Sequence, residues 1–279
     1  MFELNSGVLE PPQLAVSLAG LSRVEGVAWA GPPKATLRWL GETAHAAGVR
    51  AAVLDATRPG FRPRELDNGA RRDLASALRR GELGFAGLDL FLPPLDFVDP
   101  KTLDRAVGAV LGAIGLAADL SGQGGAGPGR AGSGGDGRVV SLVLPEDLDD
   151  DVRGTIDDEA TRQGVRIADH AWPILPGDPQ GVMLAGLDPV RVLEAKESPA
   201  KAAARFGDHL AAARLCDRDE TGRCAVGATG ASLDVLAYGA ALATVGMRCV
   251  TIDLRGLHEP AGAIESAAST WGDVFRMPG

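Results

Sequence analysis

Aromatic residues make up only 4 % of this 279-residue chain, with a single tyrosine among them. The core must therefore be built from Ala, Leu and Val, with seven Phe and four Trp as its larger pieces. Cysteine is as sparse. Cys216, Cys224 and Cys249 are odd in number and lack metal-ligand spacing, so they read as reduced thiols of a cytoplasmic protein. Positive charge is in deficit: 28 Lys and Arg against 37 Asp and Glu leave a formal charge of -9. That opposes nonspecific binding to nucleic acid or an anionic membrane. No run of about 18 apolar residues occurs, so no membrane span is expected. The N-terminus also lacks the basic-then-apolar order of a secretory signal.

The chain is 45 % hydrophobic, enough for one large core. Short apolar runs recur, and many end in a charge. Residues 13–18 are the first strand candidate, and 26–30 a less certain extended piece. Residues 33–47 read as a helix with Leu37, Leu40 and Ala44 on one face. Residues 49–54 form the second strand, ending in Asp55. A charged loop and a helix over 70–80 follow. Residues 83–90, interrupted by Asp89, form the third strand. Asp99 and Pro100 open a long helix to about Leu120. Residues 122–137, GQGGAGPGRAGSGGDG, cannot pack a core and read as a flexible connector.

The alternation resumes beyond that connector, so we read residues 1–279 as one domain. Residues 138–144 form the fourth strand, and 151–163 an acidic helix. Residues 165–168 form the fifth strand, ending in Asp169 and His170. Only eleven residues, rich in Pro and Gly, separate it from the sixth strand at 182–187. A full crossover helix does not fit there. Helix within 189–206, strand at 209–214, charged loop at 216–229, helix at 232–245, strand at 249–252 and helix at 257–271 complete the chain. Eight strands in parallel-type alternation give an α/β chain, a single (β/α)8 TIM barrel with the helix between strands five and six missing or truncated.

Several motifs then carry a resemblance. VLDATRPGFRPRELDNGARRDL at 53–74, LDP at 187–189, GDHLAAARLCD at 207–217 and VTIDLRG at 250–256 stand in the order and spacing of the xylose-isomerase-like barrel superfamily. That superfamily includes sugar (phosphate) isomerases and epimerases and the endonuclease IV type of repair enzyme. The resemblance covers about residues 13–271. It implies a divalent metal held by Glu, Asp, His and Glu from strands five to eight. Here those positions map onto Asp169, Asp188, Arg214 and Asp253.

The departure is chemical. Asp is one methylene shorter than Glu, and Arg214 stays protonated and offers no lone pair. A divalent metal on Asp169, Asp188 and Asp253 is therefore disfavoured. As an enzyme, the protein would use Asp169 and Asp253 as base and acid. Arg214 would stabilise an enediolate if no metal is present. Asp188, Arg191, Asp217, Arg255 and Arg58 are the candidate substrate-binding residues. Asp217 could instead pair with Arg214. Arg58, with Arg62 and Arg64, could bind an anion or tie its loop to the barrel. Phe91 and Trp172 are candidate walls for a sugar ring. The implied partner is a small carbohydrate or sugar acid. The alternative is a metabolite-binding or partner-binding barrel without catalysis. A homodimer would then cover the surface exposed by the missing helix.

Overall fold

A computed structural model describes residues 11–21, 33–123, 137–174 and 181–276. The strands are β1 (Gln13–Ser17), β2 (Ala51–Asp55), β3 (Gly84–Asp89), β4 (Val139–Leu142), β5 (Arg166–Asp169), β6 (Met183–Leu187) and β7 (Leu210–Leu215). A short antiparallel hairpin, β8 (Asp217–Asp219) and β9 (Gly222–Cys224), precedes β10 (Cys249–Ile252). All but the hairpin pair in parallel and close a barrel in the order β1-β10-β7-β6-β5-β4-β3-β2. The (β/α)8 architecture expected from the alternation is therefore present.

Helices α1 (Pro33–Ala46), α2 (Asn68–Arg80), α3 (Leu103–Gln123), α4 (Asp150–Gln163), α5 (Pro189–Glu194), α6 (Pro199–Phe206), α7 (Val235–Thr244) and α8 (Pro260–Phe275) accompany the barrel strands. Their starts follow from sequence. Asp67, Asp149, Asp188, Ser198 and Asp234 cap backbone N–H groups at five of them, and Pro stands in the first turn of α5, α6 and α8. Among the described residues no helix joins β5 to β6, as the short spacing predicts.

Alternation along each strand divides the apolar residues into two sets. Outward residues such as Leu54, Leu88, Ile167 and Leu215 join the helices in one continuous core. Inward residues form two small clusters, around Ala15, Ala51 and Val53 and around Val139, Ala168 and Ala211. The bore is thus lined by small side chains. The register of β2 against β3 shifts after Ala52, and that of β6 against β7 after Ala185.

Two sequence expectations change in detail. The loop at 216–229 contains the β8–β9 hairpin, which a three-residue strand with alternating charge does not reveal. The helix read from Asp99 begins at Leu103, because residues 99–102 form a turn in which Asp99 accepts from the Lys101 N–H. The helix within 189–206 is broken, and Pro199 starts its second half, the break that a proline inside this span invites. The extended piece at 26–30 and most of the glycine-rich connector lie outside the described residues.

Gly186 sits where no side chain fits, since a Cβ there would lie 2.5 Å from the His170 ring. Gly186→Ala should cost about 1–3 kcal/mol through overpacking. Urea denaturation measures this, and His170→Ala in the same chain should restore most of the loss. An unchanged midpoint in Gly186→Ala contradicts this packing.

Candidate active site

The polar groups converge at the C-terminal ends of the barrel strands. Arg214 projects from β7 across the bore to Asp89 on β3. The two form a two-point ion pair, with Nη1 3.0 Å from Oδ2 and Nη2 on Oδ1. Their side chains are 1 % and 0 % exposed. The Ser17 hydroxyl donates to the same carboxylate, and the Tyr238 hydroxyl donates to the Arg214 carbonyl at 3.0 Å. Burial opposes the charge on Arg214, but Asp89 outweighs it and holds the guanidinium above its ordinary pKa.

A second cluster sits beside this pair. Asp188 ends β6 and Asp253 ends β10. Arg223, from the hairpin, donates to Asp188 at 2.7 Å and to Asp253 at 3.1 Å. Arg255 donates to Asp188 at 3.0 Å and to both oxygens of Asp253. The remaining Asp188 oxygen caps α5 by accepting from Val190. Burial alone would raise the Asp253 pKa, but Arg255, with Arg223 and Arg214, holds its carboxyl below the usual carboxylate range. Cys216 lies against Arg223, and burial pushes its thiol well above the ordinary value, reinforced by Asp188. Phe91 carries Arg255 over its face at 4.1 Å and Arg214 at 5.0 Å, a favourable arrangement for cations held out of water.

The structure divides the remaining sequence candidates. The trio of Asp169, Asp188 and Asp253 does not assemble. Asp169 shares the outward facing of Ile167, and its carboxylate accepts from the backbone N–H groups of Leu144 and Ala171. Its neighbour His170 shares the inward facing of Ala168 and meets Phe91 edge-on, with ring centroids 6.0 Å apart. Asp217 does not pair with Arg214. One of its oxygens accepts from the backbone of Arg218, Ser232 and Leu233, fastening the hairpin to the approach to α7. Arg58 is buried near Asp55; burial lowers its pKa and Asp55 opposes that. Arg62 binds the Thr57 carbonyl and Glu65, which ties that loop together. Arg191 is exposed on α5 and lies 3.6 Å from Glu194.

Asp169, His170, Trp172 and Arg191 do share one feature. They line a groove of about 960 Å³ bordered by α4, the segment after β4, and β5 and β6. Among the described residues, both ring nitrogens of His170 and the indole nitrogen of Trp172 are buried without a hydrogen-bond partner. Sequence reasoning missed Asp89, Ser17 and Arg223 as members of the site. The signal for Asp89 was present, because a charge inside an apolar strand must find a partner. Arg223 gave none, being one charge among many in a loop.

A parallel eight-stranded barrel with its polar groups at this end, and with no crossover helix between β5 and β6 among the described residues, has the fold of the xylose isomerase-like TIM barrels. Among solved structures, an L-ribulose 3-epimerase is similar over 95 % of this chain and 94 % of its own, with TM-score 0.65 and 14 % identity. A D-tagatose 3-epimerase-like protein matches over 94 % and 98 %, with TM-score 0.63 and 11 % identity. A xylose isomerase-like TIM barrel protein from Mycobacterium smegmatis, in complex with magnesium, matches over 95 % and 96 %, with TM-score 0.61 and 11 % identity. No protein-family model and no curated protein sequence matches the chain. At these identities the likeness is one of fold.

The donor set does not fit the divalent metal that this fold implies. Among the described residues no group of three or more His, Cys, Asp or Glu gathers around a point that could hold an ion. Asp188 and Asp253 converge, but their oxygens are committed to two guanidinium groups. Arg214 adds a third cation where a lone pair would be needed.

Two consequences can be measured. Removing one partner of a buried ion pair leaves an uncompensated charge, so Asp89→Asn or Arg214→Met should each cost about 3–5 kcal/mol in urea denaturation. The double variant Asp89→Asn/Arg214→Met should be much less destabilised than their sum. Additive losses would show that the two groups are not energetically coupled. The second consequence concerns His170. Burial, reinforced by Arg214 and Arg255, lowers its pKa well below 6.5. The unfolded chain therefore takes up a proton near pH 6.5 that the folded chain refuses. Stability due to this group is complete above that pH and falls below it, by up to about 1.4 kcal/mol per pH unit. His170→Gln should flatten the decline between pH 7 and 5, and an identical slope in both proteins contradicts a buried neutral imidazole.

Proposed function

We propose that this protein binds a small carbohydrate or sugar acid at the C-terminal end of the barrel. The ligand enters through the groove beside β5, and guanidinium groups replace a divalent metal in the site's electrostatics. One observation supports the reading: His170 and Trp172 line this groove, and between them they carry three buried polar atoms that have no partner among the described residues. Buried polar groups are rarely left unpaired. A neutral imidazole offers one donor and one acceptor, and the indole offers a donor. Hydroxyl groups of a polyol satisfy all three. Arg191 and Arg153 at the groove suit the carboxylate of a sugar acid. Enzymes of this barrel class place their sites at this end, and three solved epimerase-type barrels share the fold, which supports the ligand class.

Proton transfer between carbons of a sugar needs a base near a polarised carbonyl. Arg214 and Arg255 are the groups placed to stabilise negative charge, and Asp253 is an acceptor held ionised beside them. Asp253 is a weak base when held so strongly, which favours binding over turnover. The reading without catalysis follows from the same arginine lattice. In it, the gap between β5 and β6 is covered by a second copy of the chain, and light scattering of the purified protein would detect the dimer.

The test is calorimetric titration with ketohexoses, aldoses and aldonic acids, each with and without manganese. Binding should be independent of the metal, and His170→Ala or Trp172→Phe should weaken it about tenfold, the loss of one good hydrogen bond to a buried group. Binding or turnover that requires manganese would overturn the proposal, as would affinity indifferent to both substitutions.

A further inference from the structure

The bore beneath the Arg214–Asp89 pair holds another cavity, of about 400 Å³, at the N-terminal ends of the strands. Its walls include Ala86 and Gly87 of β3, and Ala211 and Ala212 of β7. In the ring of eight, β3 and β7 stand four places apart, so these pairs face each other across the barrel. Each strand carries one of the two register shifts, β3 against β2 and β7 against β6. Each shift lets two successive small residues border the bore where strict alternation allows one. Gly87 cannot be replaced without strain: its φ is +145° and a Cβ would lie 2.9 Å from the Val139 carbonyl oxygen. Bores of this kind are normally packed with branched side chains. Here Ala86 and Ala212 keep accessible surface although they stand inside a closed barrel. The chamber is therefore built into the backbone and does not arise from one missing side chain.

The chemistry changes along the chamber. Its middle is walled by Val53, Ala86, Gly87, Ala211 and Ala212, and Ser141 and Thr251 add hydroxyl groups toward its inner end. Its mouth carries Arg166, which shares the inward facing of Ala168, and Arg248, just before β10. Asp208 stands at the same mouth, but its side chain is 97 % exposed and projects into solvent. Apolar walls behind two guanidinium groups suit an amphiphile with one anionic end. We propose that this chamber binds a medium-chain monocarboxylate, with its chain between Ala86-Gly87 and Ala211-Ala212 and its carboxylate at Arg166 and Arg248. The site is separate from the C-terminal groove, because the Arg214–Asp89 pair spans the bore between them. Neither proposal depends on the other.

Octanoate is the probe, with octanol and octylamine as comparisons, titrated into the full chain by calorimetry. One saturable octanoate site is expected. Arg166→Gln should weaken it about tenfold while leaving octanol binding unchanged. Ala212→Leu fills the chamber from β7 and should abolish binding, and Ala86→Leu does so from the opposite wall. Circular dichroism verifies that each variant is folded, and either one suffices. No octanoate binding by the unaltered chain at millimolar concentration overturns the proposal. Undiminished binding in a folded filling variant also overturns it, as does octylamine binding as tightly as octanoate.

Discussion

The Arg214–Asp89 ion pair is the constraint on which the polar end of this barrel depends. It joins two strands that face each other across the ring and lies wholly out of water. Desolvating two charges is tolerated only when their remaining hydrogen-bonding capacity is met. The surroundings supply much of that. Ser17 adds a donor to the carboxylate, Phe91 offers its face to the guanidinium, and Tyr238 anchors the strand carrying Arg214 through its carbonyl. The pair also divides the bore. Above it lies the arginine–aspartate cluster of Asp188, Asp253, Arg223 and Arg255, and below it the chamber lined by alanine and glycine. Three arginines face three aspartates in the whole lattice, so its formal charge sums to zero.

Much of the fold was legible in the sequence because it rests on periodicity. Short apolar strands separated by amphipathic helices predict a parallel barrel, and eleven Pro- and Gly-rich residues between the fifth and sixth strands predict the missing helix. The placement of Asp188, Arg214 and Asp253 at strand ends was also legible, since each stands at the end of an apolar run. The superfamily resemblance puts Asp169 at the fifth-strand metal position, with His170 next to it. Facing is set by parity, however, and parity needs the strand register, which an apolar run of four residues does not fix. Asp89 was treated as an interruption of its strand, although a carboxylate inside an apolar strand implies a buried counter-charge. Arg223 was beyond reach from sequence. Its position depends on a three-residue hairpin folding back over the barrel, and that contact is entirely tertiary.

The inward turn of His170 and the absence of a side chain at Gly186 belong together. The imidazole lies over the glycine of the neighbouring strand, in space that any Cβ would occupy. The groove beside β5 and β6 reaches that imidazole from the side. The same parity that brings His170 inward turns Asp169 outward to the backbone of Leu144 and Ala171. One residue of register thus exchanges an anionic group for a neutral one in the interior of the site.

That exchange bears on how the arginine lattice relates to a metal centre. A divalent ion between Asp188 and Asp253 would have to displace both Arg223 and Arg255 from their shared oxygens. The displaced guanidinium groups would remain close to the ion, with Arg214 nearby as a third cation. Restoring a histidine at position 214 alone would not restore a metal site. It would leave Asp89 buried without its partner, and the fifth-strand carboxylate would still face away. The two electrostatic arrangements are separated by several coupled changes on β3, β5, β7 and the hairpin.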